Sequence, residues 1–380
     1  MGVDDPLAVI SATMNERSDA AYCKGMIRTG SRSFFLASLF LPQPLRQATY
    51  ALYAFCRQAD DAIDDGADPD AELAIFQARL EVIYSEAVPG NAVDRALARV
   101  VRQYSMPREL LEALLQGFAW DTRARAYKDL AGVHCYSVRV AGSVGIATAL
   151  LMGVREPNQL ARAADLGVAM QLTNIARDVG EDARNGRVYL PRRWLRDEGL
   201  SAAELIANPV YQPAVGVVVR RLLAAADQLY RRADSGIAGL PARCRPGIRA
   251  ARLLYAGIGD VVLRNGSDSM SRRAVVSPLR KSQLLAQSFV VPAAVEEDLL
   301  APPLPQVRYL LRAVDLLPEP EFAPNAKAAS KGGWRQDVDW VLEIFAELER
   351  RERDLYGPAL IASAASERAG ESAPSAARSA

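Results

Sequence analysis

From about residue 20 to residue 290, apolar residues recur three and four positions apart. No stretch sustains the alternation of a half-buried strand. Alanine, leucine and arginine dominate this span. Short breaks punctuate it: PQP at 42–44, PG at 89–90, then Pro107, Pro157, Pro191, Pro213, Pro241 and Pro246. The pattern predicts an all-α domain over 20–290, a single large helical bundle. With 380 residues, half of them hydrophobic, the chain can bury a sizeable core.

Several function classes are disfavoured early. Forty-six basic residues oppose forty-five acidic ones, so the chain lacks the basic excess of a nucleic-acid coat, and no nucleic-acid partner is expected. Cys23, Cys56, Cys135 and Cys244 are far apart and form no C-x-x-C pair, which points to a reducing cytoplasm. His134 is the one histidine, so a multi-histidine zinc site is excluded. The apolar run 140–154 is broken by Gly142, Ser143, Gly145 and Gly153. It is too short to cross a bilayer and reads as a buried helix.

The composition shifts after 290. Seven prolines between 292 and 324 predict a proline-rich linker over 291–335. Val338, Val341, Leu342, Phe345, Leu348 and Leu355 make one stripe of an appended amphipathic helix at 336–357. Residues 358–380 are low-complexity and read as a disordered tail.

Two acidic stripes stand out against this background. In TYALYAFCRQADDAIDDG (49–66), Asp60 and Asp64 are four apart, so they share one helix face. The same face extends back to Arg57 and Tyr53. In LGVAMQLTNIARDVGED (166–182), Asn174, Asp178 and Asp182 repeat at four and four, with Gln171 one turn earlier and Arg177 beside them. One acidic i,i+4 pair is commonly a solvated face. Two, each on an apolar helix and each with an arginine, are harder to place there, because carboxylates in apolar surroundings are expensive unless paired or metal-bound.

Carboxylates and an amide carbonyl suit Mg²⁺, a hard cation often shared with substrate phosphates; Mn²⁺ is the expected substitute. Arginine and tyrosine donate to phosphate oxygens. Together the residues suggest ionisation of an allylic diphosphate in an apolar helical cavity. No G-x-x-x-x-G-K-[ST] loop is present, and Gly257-Ile258-Gly259 lacks the third glycine of a dinucleotide loop.

These motifs resemble those of the squalene and phytoene synthases. Residues 166–191 read L-G-x-x-x-Q-x-x-N-I-x-R-D-V-x-x-x-D-x-x-x-x-R-x-Y-x-P, similar to the family's second Asp-rich motif throughout. CRQADDAIDD resembles the first, and YSVRVAGSVG (136–145), GSRSFF (30–35), LLYAGIGDVV (253–262) and SRRAVVSPLRK (271–281) resemble further family segments. The resemblance implies an isoprenoid synthase fold around a central cavity. It implies Asp60, Asp64, Asn174, Asp178 and Asp182 as metal ligands, and Arg57, Arg177, Tyr255 and Arg273 on the diphosphate. Tyr53, Tyr136, Gln171 and Tyr189 would line the reaction centre, with Ser31, Phe34 and Ser38 in the substrate segment. One departure is visible: the family's Arg-Tyr after its W/M-D-x₄ stretch is Ala126-Tyr127 here, with Arg125 as a substitute, so this position is left out of the site.

Within the family, the absence of a dinucleotide loop and of a C-terminal anchor favours the branch that needs no NADPH. That branch joins two C20 or two C15 prenyl diphosphates, and the resemblance is closer to the bacterial C20 enzymes. Ser38, small and one turn from Phe34, is expected to admit the longer tail. A C15-using relative and a non-catalytic assembly relative are the alternatives. An insoluble hydrocarbon product implies a cytoplasmic protein touching the membrane peripherally, with a downstream carotenoid enzyme as a candidate partner.

Overall fold

The computed structural model describes residues 6–317, and side chains from residue 15 onward except those of Arg32, Ser33, Asp64 and Asp65. Among the described residues there is no strand. The helices in chain order are α1 (Pro6–Gly30), α2 (Arg32–Ser38), α3 (Gln43–Asp65), α4 (Pro69–Ile83), α5 (Ala92–Gln103), α6 (Arg108–Thr122), α7 (Leu130–Ser137) and α8 (Ser143–Leu151). They continue with α9 (Pro157–Arg184), α10 (Arg192–Asp197), α11 (Ala202–Ala207), α12 (Pro213–Gly239), α13 (Arg245–Arg264), α14 (Pro278–Gln287), α15 (Glu296–Leu300) and α16 (Arg308–Asp315). The prolines read as breaks sit where proline is tolerated. Pro157 and Pro213 begin α9 and α12, and Pro246 lies in the first turn of α13, where the missing N–H leaves no bond unmade. Side-chain caps start others: Asp68 on α4, Asn91 on α5 and Asp129 on α7.

Helix α9 is central. It packs against α8, α12 and α13, and more lightly against α15 and α16. Its crossing with α8 is close. A Cβ on Gly145 would lie 2.3 Å from the Ala163 carbonyl oxygen, and in the turn just before α8 one on Gly167 would lie 2.2 Å from that of Ala141. Between α7 and α8 the chain makes one π-helical turn, Val138–Gly142. The run 140–154 is the buried helix that its composition suggested, with Ile146, Ala147 and Leu150 fully buried.

The prolines from 292 do not leave a bare connection as far as residue 317. Pro305 opens a 3₁₀ turn, Pro305–Val307, and two short helices flank it. Val307, Leu310, Leu311 and Val314 are buried against the domain. Polar bonds add to this: the backbone N–H of Val295 donates to Ser235, and Arg232 donates to the Pro302 carbonyl. Arg162, 1% exposed, donates to the carbonyls of Asp298 and Leu299 and pairs with Asp165 at 2.8 Å. The rest of the expected linker, the appended helix and the tail lie outside the described residues.

Candidate active site

The inner faces of α2, α3, α8, α9, α12 and α13 enclose an apolar cavity of about 290 Å³. Its wall includes Phe34, Leu52, Val144, Leu166, Met170 and Ile248. Polar groups gather at one end: Tyr53 from α3, Gln171 and Asn174 from α9, and Tyr255 from α13. Both acidic stripes therefore belong to helices that face one space.

The segment expected to hold substrate borders the cavity through Phe34 and Ser38. Ser31 caps α2 by accepting from the Phe34 N–H, and the Phe34 ring packs against Tyr255 (centroids 5.2 Å) and Tyr53 (6.3 Å). Ser38 lines the cavity, buried, its hydroxyl donating to the Phe35 carbonyl at 2.6 Å. Burial raises the Tyr53 phenol to about 12. It does the same for Tyr255, whose rise is opposed by Arg177. Both phenols are therefore hydrogen-bond donors at neutral pH.

The arginines are held by carboxylates. Arg57 makes a bidentate pair with Asp61, at 2.6 and 2.9 Å, and a longer contact with Asp60 at 3.7 Å. Arg177 pairs with Asp178 through two bonds of 2.8 and 2.5 Å. Arg273, half exposed, reaches Asp178 at 3.1 Å and Glu181 at 3.2 Å. Asp178 thus sits between two guanidinium groups that could instead serve a diphosphate.

The stripe's other members retain unmet capacity. The Asn174 amide N–H donates to Gln171, while its buried oxygen has no hydrogen-bond partner. Asp182 is raised to about 7, first by burial and next by Asp178, with Glu181 and Asp121 adding to the rise and Arg187 opposing it. An orphaned carbonyl and a carboxylate crowded by negative charge are oxygen donors that a hard divalent cation would satisfy. The donor set therefore fits Mg²⁺. Among the described residues, no three His, Cys, Asp or Glu side chains converge as a metal-binding group. The side chain of Asp64, one of the five expected ligands, lies outside the described residues.

Tyr136 and Tyr189 meet at a residue the motif reading passed over. The two hydroxyls donate to opposite oxygens of Asp121, at 2.8 and 2.7 Å. The two rings stack at 5.1 Å, and Tyr127 joins them at 5.5 and 6.0 Å. Burial, reinforced by Asp121, pushes both phenols well above their ordinary range. The available signal was the single carboxylate ending the apolar face of α6, in Trp120-Asp121. Arg125, the expected substitute for the family arginine, stacks on Trp120 with its guanidinium 3.7 Å from the ring centroid, and its charge opposes the burial that raises the Tyr127 phenol.

A helical shell around an apolar cavity, with phenols and amides in its wall and an acidic stripe on each of two of its helices, defines the isoprenoid synthase class. The chain belongs to the squalene/phytoene synthase family, whose model matches residues 27–280. The phytoene synthase of Cereibacter sphaeroides is 46% identical over 349 residues, covering 89% of this chain and 96% of its own. That of Rhodobacter capsulatus is 44% identical over 348 residues, covering 90% and 99%. A crystal structure of a dehydrosqualene synthase in complex with ligand superposes with a TM-score of 0.66 at 31% identity, over 72% of this chain and 96% of that one.

Proposed function

We propose that this chain is a phytoene synthase of carotenoid biosynthesis. It joins two geranylgeranyl diphosphates head to head through a cyclopropylcarbinyl diphosphate, releasing two diphosphates and two protons, one as the cyclopropane closes and one from the final cation. The observation that carries the chemistry is the group of Tyr53, Gln171, Asn174 and Tyr255 in a largely apolar cavity wall. The relatives named phytoene synthase support the C20 substrate.

In this reading the arginines exchange partners. Arg57, Arg177 and Arg273 turn from their aspartates to diphosphate oxygens, and Tyr53 and Tyr255 donate to the same group. Asp60, Asp64, Asn174, Asp178 and Asp182 would hold Mg²⁺, or Mn²⁺ in its place, which supplies charge stabilisation for the departing diphosphate. Asp121 fixes the Tyr136 and Tyr189 phenols beside the reaction centre. Phe34, Ser38 and the apolar wall shelter the prenyl tails from water. The final cation loses a proton, so no NADPH is required.

Release of the product into water costs about 0.8 kcal/mol per CH₂. The product must therefore pass to lipid or to the next enzyme of the pathway. Among the described residues no helix is long and apolar enough to cross a membrane. Peripheral contact from the cytoplasmic side fits both points.

Product analysis tests the proposal. Purified protein receives geranylgeranyl or farnesyl diphosphate with Mg²⁺, each with and without NADPH. A C40 hydrocarbon from the C20 substrate without NADPH is the expected result. A C30 product would reassign the chain, to a squalene synthase if NADPH is needed and to a dehydrosqualene synthase if not. No hydrocarbon from either, in a folded protein, would favour a non-catalytic relative.

A further inference from the structure

From Ser269 to Val295 the chain has no acidic residue but carries Arg272, Arg273, Arg280 and Lys281. Elsewhere the charges nearly cancel, so this is a local excess. Arg273 is matched by Asp178 and Glu181. Among the described residues, Arg272, Arg280 and Lys281 form no ion pair; Arg272 is exposed, and Arg280 and Lys281 are half-buried at the start of α14.

The same segment exposes large apolar side chains. Val275, Leu279 and Val290 are 71%, 72% and 73% exposed. On α14, Leu279, Gln283 and Ala286 share the face turned away from the buried Leu284 and Leu285. Val290 follows in the turn that ends the helix, its N–H donating to the Gln287 carbonyl.

This face lies behind the cavity wall. Helix α14 packs on α13, where Leu284 and Val276 approach Gly257, two residues from Tyr255. Phe289 meets Phe40, just beyond the C-terminus of α2, at 5.4 Å edge to face. Helices α2 and α13 present Phe34, Ser38 and Tyr255 to the cavity on their other side. The strand of chain from Arg273 to α14 therefore leads from the rim of the polar site to an apolar, basic outer surface.

We infer that the outer face of α14, with Val275 and Val290, is where the enzyme docks on an anionic lipid bilayer. Exposed aliphatic side chains enter the interfacial region while cations beside them meet lipid phosphates. The absence of any acid over this segment removes the repulsion that such a surface would meet. The inference deepens the proposed function, because an enzyme with a long-tailed amphiphilic substrate and an apolar product works best with its cavity wall against the lipid that carries both.

Flotation of the full chain with phosphatidylcholine vesicles, with and without phosphatidylglycerol, tests the docking surface. The protein should float with the anionic vesicles and sink with neutral ones. Arg272→Gln/Arg280→Gln/Lys281→Gln should weaken binding by about fivefold per charge removed. Leu279→Asn/Val290→Asn should lower it at least about tenfold, because two aliphatic anchors are lost. Both variants should keep the wild-type melting temperature and wild-type turnover of detergent-dispersed geranylgeranyl diphosphate. Equal flotation of variants and wild type would overturn the inference and assign docking to another segment, such as residues 318–380. A wild type that never floats but forms a dimer that the Asn variant disrupts would overturn it in favour of a second copy. Failure of the functional reading would appear separately, as absence of hydrocarbon from the dispersed substrate.

Discussion

At the scale of single residues, Asp121 marks the limit of the sequence reading. Its neighbours Tyr136 and Tyr189 were legible from their motifs, but the carboxylate that joins them lies on a different helix. The W-D-x₄ stretch contains this Asp, but nothing in that spacing says that two tyrosines from elsewhere converge on it. Asp121→Asn keeps the shape and replaces a charged acceptor of two O–H bonds with a neutral amide. Charge-assisted bonds are worth about 1.5–3 kcal/mol, so kcat should fall roughly 10- to 100-fold with KM little changed. Steady-state kinetics on a variant with a native melting curve would check this, and an unchanged kcat would remove Asp121 from the mechanism. Asp182 allows a test of its own. Its folded-state value of about 7 lies above that of an unfolded aspartate. The folded chain therefore binds the extra proton between about pH 4 and 7, and stability from this group falls as pH rises through that window. In chelator, the wild type should lose more melting temperature from pH 5 to 7.5 than Asp182→Asn does. Parallel curves would show that neither burial nor its acidic neighbours raise Asp182.

Among the elements, α3 and α9 were the most legible, because polar residues at fixed spacing on apolar helices leave little choice of face. The π-helical turn at Val138–Gly142 was not legible. It depends on how α7 and α8 meet α6 and α9, and nothing in VRVAG marks the extra residue per turn. The glycines of this region differ in how closely neighbouring atoms approach them. A Cβ on Gly167 would lie 2.2 Å from a backbone oxygen, whereas one on Gly142 meets only side chains, the nearest at 3.5 Å. Gly167→Ala must push the π-helical turn off α9 and should cost about 2 kcal/mol or more, by analogy with overpacked cores. Gly142→Ala gains up to about 1 kcal/mol of helix propensity against ordinary contact and should stay near neutral. Denaturant unfolding of the two variants measures the difference directly, and equal losses would contradict the close crossing.

For the whole molecule, local sequence misplaces one boundary and leaves one specificity question. Prolines dominate any short window after 290, so the apolar spacing of Val307, Leu310, Leu311 and Val314 carries little local weight. Its meaning comes from the distant α6 and α9 surfaces that bury it. Each such side chain contributes about 1.5–3 kcal/mol when buried, which for four is comparable to the whole stability of an ordinary domain. Truncation after residue 290 should therefore leave protein that is insoluble or melts far below the full chain; a native melting curve would return the boundary to 290. The cavity's length belongs to the same scale, because six helices set it while one small side chain on α2 helps hold it open. Ser38 is 3% exposed, and its hydroxyl also reaches Tyr50 at 3.3 Å. Ser38→Phe gives up both hydrogen bonds and drives a ring toward the space next to Phe34 and Leu41. Overpacking of this kind costs about 1–3 kcal/mol. That penalty falls on the longer tail if Ser38 borders its path, and less on a tail that ends before it. With both substrates supplied together, the C40-to-C30 product ratio should drop at least about fivefold. A folded Ser38→Phe enzyme with an unchanged ratio would place the length gauge elsewhere along the cavity wall.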